Sequence, residues 1–315
     1  MLLSLIIPCY NEEGNVEKFF FETNKAFAGK GFDYEFVFVN DGSRDSTHAK
    51  LKKLYEENEN YNIQVLTFSR NFGKEAAIYA GLKAAKGEMV CLIDADLQQR
   101  PEVVLEMLDV MNGSEDTDCV AAYQAQRREN KIMNAFKSLF YKIINGVAEV
   151  DFVNGASDFR LMKRNVVEAI LQMTEYHRFS KGIFSWVGFN TKYIPYKAEE
   201  RENGKSKWGF GKLLKYAIDG IVSFSTFPLK LSAFVGFFSA IISIIYLVIV
   251  VIQKLAFGID VPGYATIVVL VLFLGGMQLF SLGILGEYLS KIYVQVKNRP
   301  VFVLKEHLGK ADEHD

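Results

Sequence analysis

The sequence predicts an α/β domain built on a mostly parallel sheet, followed by a hairpin of two transmembrane helices. Over the first 125 residues, short apolar runs alternate with amphipathic stretches. That alternation is typical of a parallel sheet whose two faces are covered by helices. Two later runs, residues 231–253 and 261–286, contain no Asp, Glu, Lys or Arg. Each run is long enough to cross a bilayer, which takes ~20 apolar residues.

The α/β part begins with four apolar runs that are predicted to be buried strands. They are "LLSLIIPCY", "YEFVFVND", "IQVLTFSR" and "EMVCLIDAD". Each is followed by a segment whose apolar residues have the spacing of a helix, as in Glu12 to Phe27 and Asp45 to Tyr55. Polar residues come directly after each strand: Tyr10, Asn11 and Glu12, then Asp41, Gly42 and Ser43, then Arg70 and Asn71, then Asp94 and Asp96. Because ligands of open parallel sheets bind beyond the carboxyl ends of the strands, these residues predict a binding site. The glycine loops G-x-G-x-x-G and G-x-x-x-x-G-K-[ST] are both absent from the sequence.

The middle of the chain has a less regular pattern. We predict a strand at "DCVAAYQ", a helix from Lys131 to Gly146, and "SDFRLM" leading into a helix at Lys163. A polar loop, "EERENGKSKWGFG", precedes an amphipathic segment from Lys212 to Phe227 that suits the bilayer interface. These patterns divide the chain into a domain of residues 1–198, a juxtamembrane loop and interfacial helix over 199–228, two transmembrane helices within 229–290 (about 231–253 and 263–287), and a tail of residues 291–315.

The charges that flank the two apolar runs predict their orientation. Basic residues lie before the first run and after the second, and the connecting loop carries only one: Lys212, Lys215 and Lys230 before, Lys291, Lys297 and Arg299 after, Lys254 between. The positive-inside rule then places both ends of the hairpin, the α/β domain and the tail in the cytoplasm. No basic leader precedes the first apolar run, so we expect no signal peptide.

Charge and residue spacing argue against a nucleic-acid partner and a zinc site. The formal net charge is −1, which argues against a nucleic-acid partner. Cys9, Cys91 and Cys119 are odd in number and lack metal-ligand spacing, as expected of reduced thiols in the cytoplasm. The four histidines form no sequence cluster, which argues against a zinc site.

The D-A-D motif at Asp94 and Asp96 is the strongest single candidate site. If the strand continues through it, residues two apart share a face, and both carboxylates project the same way. Two carboxylates about 4 Å apart would repel by ~4 kcal/mol at an effective dielectric constant of 20. No Lys or Arg follows before Arg100, so we predict Mg²⁺ or Mn²⁺ bound by both acids and by the Gln98 carbonyl. The alternative is that the acids cap the helix that begins near Pro101.

Six segments together resemble glycosyltransferase family 2. They are "SLIIPCYNEE", "VNDGSRDST", "SRNFGKEAAIYAGLKAAKGE", "CLIDADLQQRPE", "SDFRLMKR" and "RENGKSKWGFGKLLKYAIDGIVSF". More narrowly, they are similar to the polyisoprenyl-phosphate glycosyltransferases, which include bactoprenol glucosyltransferases and dolichol-phosphate mannosyltransferases. The resemblance runs from residue 2 to about residue 230 and continues through the two apolar runs.

The resemblance implies a GT-A (Rossmann-like) fold and a set of functional residues. Donor binding is implied for Pro8, Tyr10, Glu12, Asp41, Ser69, Arg70 and Asp94, metal binding for Asp94, Asp96 and Gln98, and catalysis for Asp158 and Asp96. Basic residues and a serine are implied to bind the lipid phosphate: Arg128, Lys137, Arg201, Ser206 and Lys207. For Asp158, a structural salt bridge with Arg160 or Arg164 is the alternative.

The implied reaction is the inverting, metal-dependent transfer of one sugar, with UDP-glucose as the expected donor, to undecaprenyl phosphate. GDP-mannose, UDP-N-acetylglucosamine or a modified arabinose donor are alternatives within this class. A non-catalytic membrane scaffold that keeps a nucleotide-binding fold is the alternative from another class. The expected location is the bacterial inner membrane, where the lipid bilayer is itself a partner, and a homo-oligomer is compatible with the sequence.

Overall fold

The computed structural model describes residues 1–124, 145–146, 156–197, 220–257 and 263–309. The first half of the α/β domain alternates strands and helices: β1 Leu2–Cys9, α1 Val16–Phe27, β2 Asp33–Asn40, α2 Thr47–Glu57, β3 Asn62–Phe68, α3 Lys74–Ala84, β4 Met89–Leu92 and α4 Pro101–Asn112. The second half contains β5 Cys119–Gln124, β6 Ala156–Lys163, α5 Arg164–Gln172, α6 Ser180–Trp186 and β7 Thr191–Tyr196. Two long helices follow, α7 Phe227–Phe257 and α8 Tyr264–Val296, and then β8 Leu304–Leu308.

The eight described strands form one mixed sheet in the order β7-β5-β6-β4-β1-β2-β3-β8. Strands β4, β1, β2 and β3 are parallel to one another, as are β5 and β7. Strand β6 is antiparallel to both β4 and β5, and β8 is antiparallel to β3. The carboxyl ends of β1 to β4 therefore lie along one rim, as the sequence predicts.

Alternating side chains of the central strands fill two hydrophobic cores, one on each face of the sheet. Leu5 and Phe36 belong to the core under α1, α2 and α4, whereas Ile6 and Val37 belong to the core under α3, α5 and α6. Helix α1 shows why such segments are helical, because its buried residues recur at helical spacing: Val16, Phe19, Phe20, Thr23 and Phe27. Fully burying one such phenylalanine contributes roughly 1.5–3 kcal/mol.

The predicted helix from Lys131 to Gly146 lies outside the described residues except for its last two positions, and so does the interfacial segment up to residue 219. Residues 220–224 are helical and lead into α7. The three cysteines are buried and unpaired.

Helices α7 and α8 are longer than the predicted spans, with 31 and 33 residues. Each contains a stretch long and apolar enough to cross a membrane, and none of either stretch is buried inside the protein. The last turns of α8 instead contact the residues just before α7 and the α/β domain. Tyr288 donates a hydrogen bond to the Ser225 carbonyl at 2.6 Å, and the Gln295 side chain accepts one from the Tyr176 amide at 2.8 Å.

The segment after α8 returns to the sheet, which the sequence analysis does not predict. Strand β8 pairs with β3, the Ser69 amide donates to the Val303 carbonyl at 2.9 Å, and the Phe302 ring stacks on Phe68 with centroids 5.0 Å apart. The hairpin is thus attached to the α/β domain at two places, through the last turns of α8 and through this returning strand.

Candidate active site

The loops after β1 and β2 are joined by hydrogen bonds between backbone and side chains. The Asn11 amide donates to Ser43 Oγ at 3.0 Å, and Asn11 Oδ1 accepts from the Arg44 amide at 2.9 Å. The Glu12 amide donates to Thr47 Oγ1 at 2.9 Å. Asn11 itself has a φ of 56°, a left-handed conformation that asparagine tolerates better than most residues. These bonds fix both loops as one surface at the rim.

Asp41 joins the loop after β2 to the loop after β3. Its carboxylate accepts hydrogen bonds from the Phe72 amide at 2.6 Å, the Gly73 amide at 2.9 Å and the Asn71 side chain at 2.9 Å. Burial raises the pKa of this carboxyl, although the two amides act in the opposite direction. In this structure Asp41 anchors the loop of residues 70–73, and its predicted contact with a nucleoside base stays a prediction.

Gly42 permits this close approach of the two loops. It has a φ of +61°, and a Cβ placed on it would lie 2.3 Å from the Arg70 carbonyl carbon. Any larger residue would therefore push the loops apart.

The other predicted donor residues lie at the same rim. Pro8 is near the end of β1 and Tyr10 directly follows it, with 38% of Tyr10 exposed. Ser69 and Arg70 are exposed after β3, and the Arg70 guanidinium lies 4.1 Å from the Phe72 ring centroid. The structure thus brings the predicted donor residues to the rim at the carboxyl ends of the strands. Their binding roles stay predictions.

Asp94 and Asp158 share the ammonium group of Lys74. Lys74 Nζ lies 2.8 Å from Asp94 Oδ1 and 3.2 Å from Asp158 Oδ2. Asp94 lies two residues after β4, and Asp158 lies on β6, which pairs with β4 in antiparallel register. Lys74 is the first residue of α3.

Lys74 and Asp158 stabilise each other's charged forms. Burial alone would lower the pKa of Lys74, but Asp94 and Asp158 raise it well above its ordinary value. Burial alone would raise the pKa of Asp158, but Lys74, Lys181 and Arg160 lower it below its ordinary value. The Lys74 ammonium and the Asp158 carboxylate are therefore both charged at neutral pH.

The structure around Asp94 corrects two expectations from the sequence. Strand β4 ends at Leu92, so Asp94 and Asp96 lie in a turn, and Leu97 has a φ of 57°. The argument from alternating strand faces is therefore wrong for this motif. A cation also lies beside Asp94, although no basic residue is near it in the sequence before Arg100, because α3 brings Lys74 to it.

The alternative role of the two acids as helix caps is also wrong. Helix α4 begins at Pro101 after Arg100, with no capping hydrogen bond from a side chain. Asp96 Oδ1 instead accepts from the Gln98 amide at 3.2 Å, and Asp94 Oδ2 accepts from the Gln99 side chain at 3.3 Å. The first of these bonds holds a tight turn within the D-A-D motif.

The donor set at this turn fits a hard divalent cation that retains open positions. Asp94 and Asp96 offer carboxylate oxygens at the rim, and Gln98 follows in the same turn. Within the described ranges, no group of three or more His, Cys, Asp or Glu residues is placed to hold a metal ion. Carboxylate and carbonyl oxygens are ligand types that Mg²⁺ and Mn²⁺ accept, and metal binding by Asp94, Asp96 and Gln98 stays a prediction.

The alternative of a salt bridge from Arg160 or Arg164 to Asp158 can be compared with the contacts of the two arginines. Both guanidinium groups contact backbone carbonyls, and that of Arg160 also contacts an aromatic ring. The Arg160 guanidinium lies 3.6 Å from the Phe184 ring centroid and donates to the Ser157 carbonyl at 3.2 Å. Arg164 Nη2 donates to the Ala85 carbonyl at 2.9 Å. Asp158 forms its ion pair with Lys74 instead.

The predicted acceptor residues, Arg128, Lys137, Arg201, Ser206 and Lys207, lie outside the described residues. Sequence reasoning missed Lys74 and Lys181, which lower the pKa of Asp158, and Glu75, whose carboxylate accepts hydrogen bonds from Ser180. Lys74 and Glu75 lie within the "SRNFGKEAA" segment, so the resemblance contained a signal for them without a role.

The chain is a glycosyltransferase whose mixed α/β sheet has a GT-A-like fold, as the match to a family model shows. Residues 4–171 match a family model described as "Glycosyl transferase family 2", and residues 227–292 match one described as "GtrB C-terminal hairpin". The chain belongs to glycosyltransferase family 2. The predictions of family, fold and enzyme class are confirmed, and the hairpin match agrees with membrane association.

Similar proteins cover nearly the whole chain. The Bacillus subtilis (strain 168) protein CsbB, whose name describes it as a candidate glycosyltransferase, is 44% identical over 305 residues, 97% of this chain and 92% of that protein. The SfII prophage-derived bactoprenol glucosyl transferase of Shigella flexneri is 40% identical over 311 residues, 98% of this chain and 99% of that protein. Among solved structures, a mannosyltransferase from Pyrobaculum calidifontis in complex with GDP-Man and Mn²⁺ is 16% identical, with a TM-score of 0.48 and coverage of 91% and 86%.

Proposed function

We propose that this protein transfers one sugar from a nucleotide donor to a polyprenyl phosphate at the cytoplasmic face of the bacterial inner membrane. The observation that carries the proposal is the contact of Asp94 and Asp158 with one ammonium group, that of Lys74. This contact joins the predicted donor side and the predicted acceptor side in a single centre. The domain that holds this centre is attached to two helices of membrane-spanning length.

The acceptor class is supported by relatives named bactoprenol glucosyl transferase, which align with this chain over nearly its full length. The same names support glucose as the transferred sugar. The flanking basic residues at both ends of the hairpin support a cytoplasmic position of the α/β domain.

On the donor side, Asp94, Asp96 and Gln98 would hold Mg²⁺ or Mn²⁺ at the turn after β4. When bound, such an ion stabilises the negative charge that gathers on a departing nucleoside diphosphate. The interlocked loops after β1, β2 and β3 supply a preformed surface for the nucleoside. Because these loops are already fixed, little ordering is needed when the donor binds.

On the acceptor side, Asp158 remains ionised beside Lys74. A phosphate monoester has a second pKa near 6, so most acceptor molecules are already deprotonated at neutral pH. The role proposed for Asp158 is therefore to orient the acceptor and to stabilise positive charge on the sugar. Attack by a phosphate oxygen from the side opposite the leaving diphosphate inverts the anomeric centre without a covalent enzyme intermediate.

The test is incubation of the purified protein in lipid vesicles with undecaprenyl phosphate and a panel of radiolabelled nucleotide sugars. We expect lipid-linked product with UDP-glucose and Mg²⁺ or Mn²⁺, and none with EDTA. Product from GDP-mannose, UDP-N-acetylglucosamine or a modified arabinose donor instead would overturn the sugar assignment and keep the reaction class. Absence of product with every donor would favour the non-catalytic scaffold.

A further inference from the structure

Glu75 connects the centre around Lys74 to helix α6. Its Oε2 accepts a hydrogen bond from the Ser180 amide at 2.8 Å and a second, short one from the Ser180 hydroxyl. Ser180 is the first residue of α6. Glu75 directly follows Lys74 in α3, so the residue that contacts Asp158 and the residue that holds α6 are neighbours on one turn.

A second side of α6 contacts residues 220–224, which precede α7 and are called the membrane-proximal segment below. A Cβ placed on Gly182 would lie 2.3 Å from the Phe224 ring, and the rings of Phe179 and Phe224 have centroids 5.9 Å apart. Phe224 ends the helical residues 220–224, three positions before α7 begins. The absence of a side chain at Gly182 therefore lets α6 lie directly against the membrane-proximal segment.

Helix α6 also contacts the strand that carries Asp158. The Phe184 ring lies under the Arg160 guanidinium at 3.6 Å from the ring centroid, and Arg160 is two residues from Asp158 on β6. One short helix thus touches three parts of the molecule: α3 through Glu75, β6 through Phe184, and the membrane-proximal segment through Gly182. Because protein interiors are closely packed, a displacement of α6 is transmitted to the membrane-proximal segment.

We propose that α6 sets the position of the membrane-proximal segment relative to Asp158, and that Glu75 is a positioning residue for the lipid acceptor. The proposal rests on the proposed function, because it concerns the route by which a membrane-bound acceptor reaches the centre. Glu75 acts through α6 and touches neither substrate. Its loss should impair the use of a lipid that is held in the bilayer, and leave donor binding unchanged.

The contact suggests a graded series of variants. Both hydrogen bonds end on one carboxylate oxygen, so the amide oxygen of Glu75→Gln can accept them, whereas Glu75→Ala removes the acceptor altogether. Ser180→Ala removes one of the two donors. Glu168→Ala and Ser185→Ala are matched controls, because Glu168 is exposed on α5 and Ser185 lies on α6 itself.

The experiment compares two acceptors: undecaprenyl phosphate in vesicles and geranyl phosphate, a short prenyl phosphate that dissolves in water. For Glu75→Ala we expect the KM for undecaprenyl phosphate to rise ~10-fold, about 1.4 kcal/mol. The KM for the donor and kcat/KM for geranyl phosphate should stay near wild-type values, with Glu75→Gln restoring most of the lipid activity. Equal losses with both acceptors, a changed donor KM, or an unchanged lipid KM would each overturn the positioning role.

A readout without turnover separates this proposal from the proposed function. Trp186 and Val222 line one cavity of about 320 Å³ between α6 and the membrane-proximal segment. Cysteines at these two positions should crosslink with a short bis-maleimide in the wild-type background and several times less in Glu75→Ala. Equal crosslinking in both backgrounds would overturn the proposal. A wild-type protein that forms no lipid-linked sugar would overturn the proposed function alone.

Discussion

Two regions of the molecule are held together in different ways. The donor rim consists of the loops after β1, β2 and β3, and the membrane junction consists of the contacts of α6 and α8 with the residues around them. At the rim, loops after three neighbouring strands are joined by short bonds between backbone amides and side chains, such as those to Asn11 and Asp41. At the junction, α8 is joined to the rest by the side chains of Tyr288, Lys291 and Gln295, and α6 lies against Phe224 at Gly182.

This difference corresponds to two kinds of ligand. A nucleoside diphosphate is small and polar, and is recognised through fixed hydrogen-bonding groups, which a network of bound loops supplies. A lipid phosphate comes from a bilayer, so the position of the domain relative to the membrane decides whether it reaches the centre. Variants at the rim should therefore change donor use, whereas variants at the junction should change lipid use.

The largest effect is expected at the D-A-D turn. Asp96→Asn removes one carboxylate charge from the proposed metal ligands and should abolish metal-dependent transfer, because the diphosphate loses its compensating cation. The measurement is lipid-linked product formation at saturating Mn²⁺, with circular dichroism and membrane fractionation to show that the variant folds and inserts. Normal activity in Asp96→Asn would contradict the metal assignment.

Loss of Lys74 should break the centre that links the two regions. Lys74→Met leaves Asp94 and Asp158 without their shared ammonium, and we expect kcat to fall ~100-fold, the size of effect found when one preorganised electrostatic group is removed. Lys74→Arg is the charge-preserving control and should retain more activity than Lys74→Met. Equal activity of the methionine variant and the wild type would show that the ion pair has no role in catalysis.

Gly42→Ala tests the rim alone. A methyl group at Gly42 would meet the Arg70 backbone at 2.3 Å, so the loop of residues 70–73 must shift and donor affinity should fall by ~10-fold, or about 1.4 kcal/mol. Gly29→Ala is the matched control, because Gly29 also has a positive φ, +72°, but has no atom within 4 Å of the added Cβ. Calorimetric titration of both variants with the nucleotide would separate the clash from the conformational strain of ~1–2 kcal/mol that they share. Equal donor affinities of Gly42→Ala and Gly29→Ala would show that the loop contact does not shape the donor site.

The effect with the least influence on activity is a pH dependence of stability at the junction. Burial and the charge of Asp158 raise the pKa of Glu75 to about 7 from its ordinary value of 4.5, although Ser180 and Lys74 oppose the shift. Burial lowers the pKa of Arg178, and the charge of Glu75 acts in the opposite direction. Between these pH values the folded protein binds more protons than the unfolded chain, so its stability falls as pH rises from 4.5 to about 7.

The contribution of Glu75 to that change is up to about 3 kcal/mol. Glu75→Gln cannot titrate, so the Tm difference between wild type and Glu75→Gln should drift through this pH window and stay constant above it. Thermal unfolding in detergent at several pH values measures that difference. A constant difference from pH 4.5 upward would show that Glu75 titrates at its ordinary value.

Much of the architecture follows from local sequence. The alternation of apolar runs and helical spacing predicts β1 to β4 and the helices between them, and the polar residues after each run predict the binding rim. The two runs without charges predict the hairpin. These features depend only on side-chain periodicity and on the length of apolar segments, which neighbouring residues determine.

Other features depend on which distant segments pair. "LKEHL" in β8 has no apolar run to mark it as a strand, and becomes one because the exposed edge of β3 offers unpaired hydrogen-bonding groups. The short strand β4 ends before the D-A-D motif, which changed the geometry expected for Asp94 and Asp96.

The sequence by itself determined that carboxylates gather at the ends of the strands, because a buried apolar strand must end where polar side chains reach solvent. Only the tertiary structure decided that the strand carrying Asp158 pairs with β4 and that Lys74 contacts both Asp94 and Asp158. The physical reason is that strand register and helix placement are set by contacts between segments distant in the chain, which no local pattern of residues records.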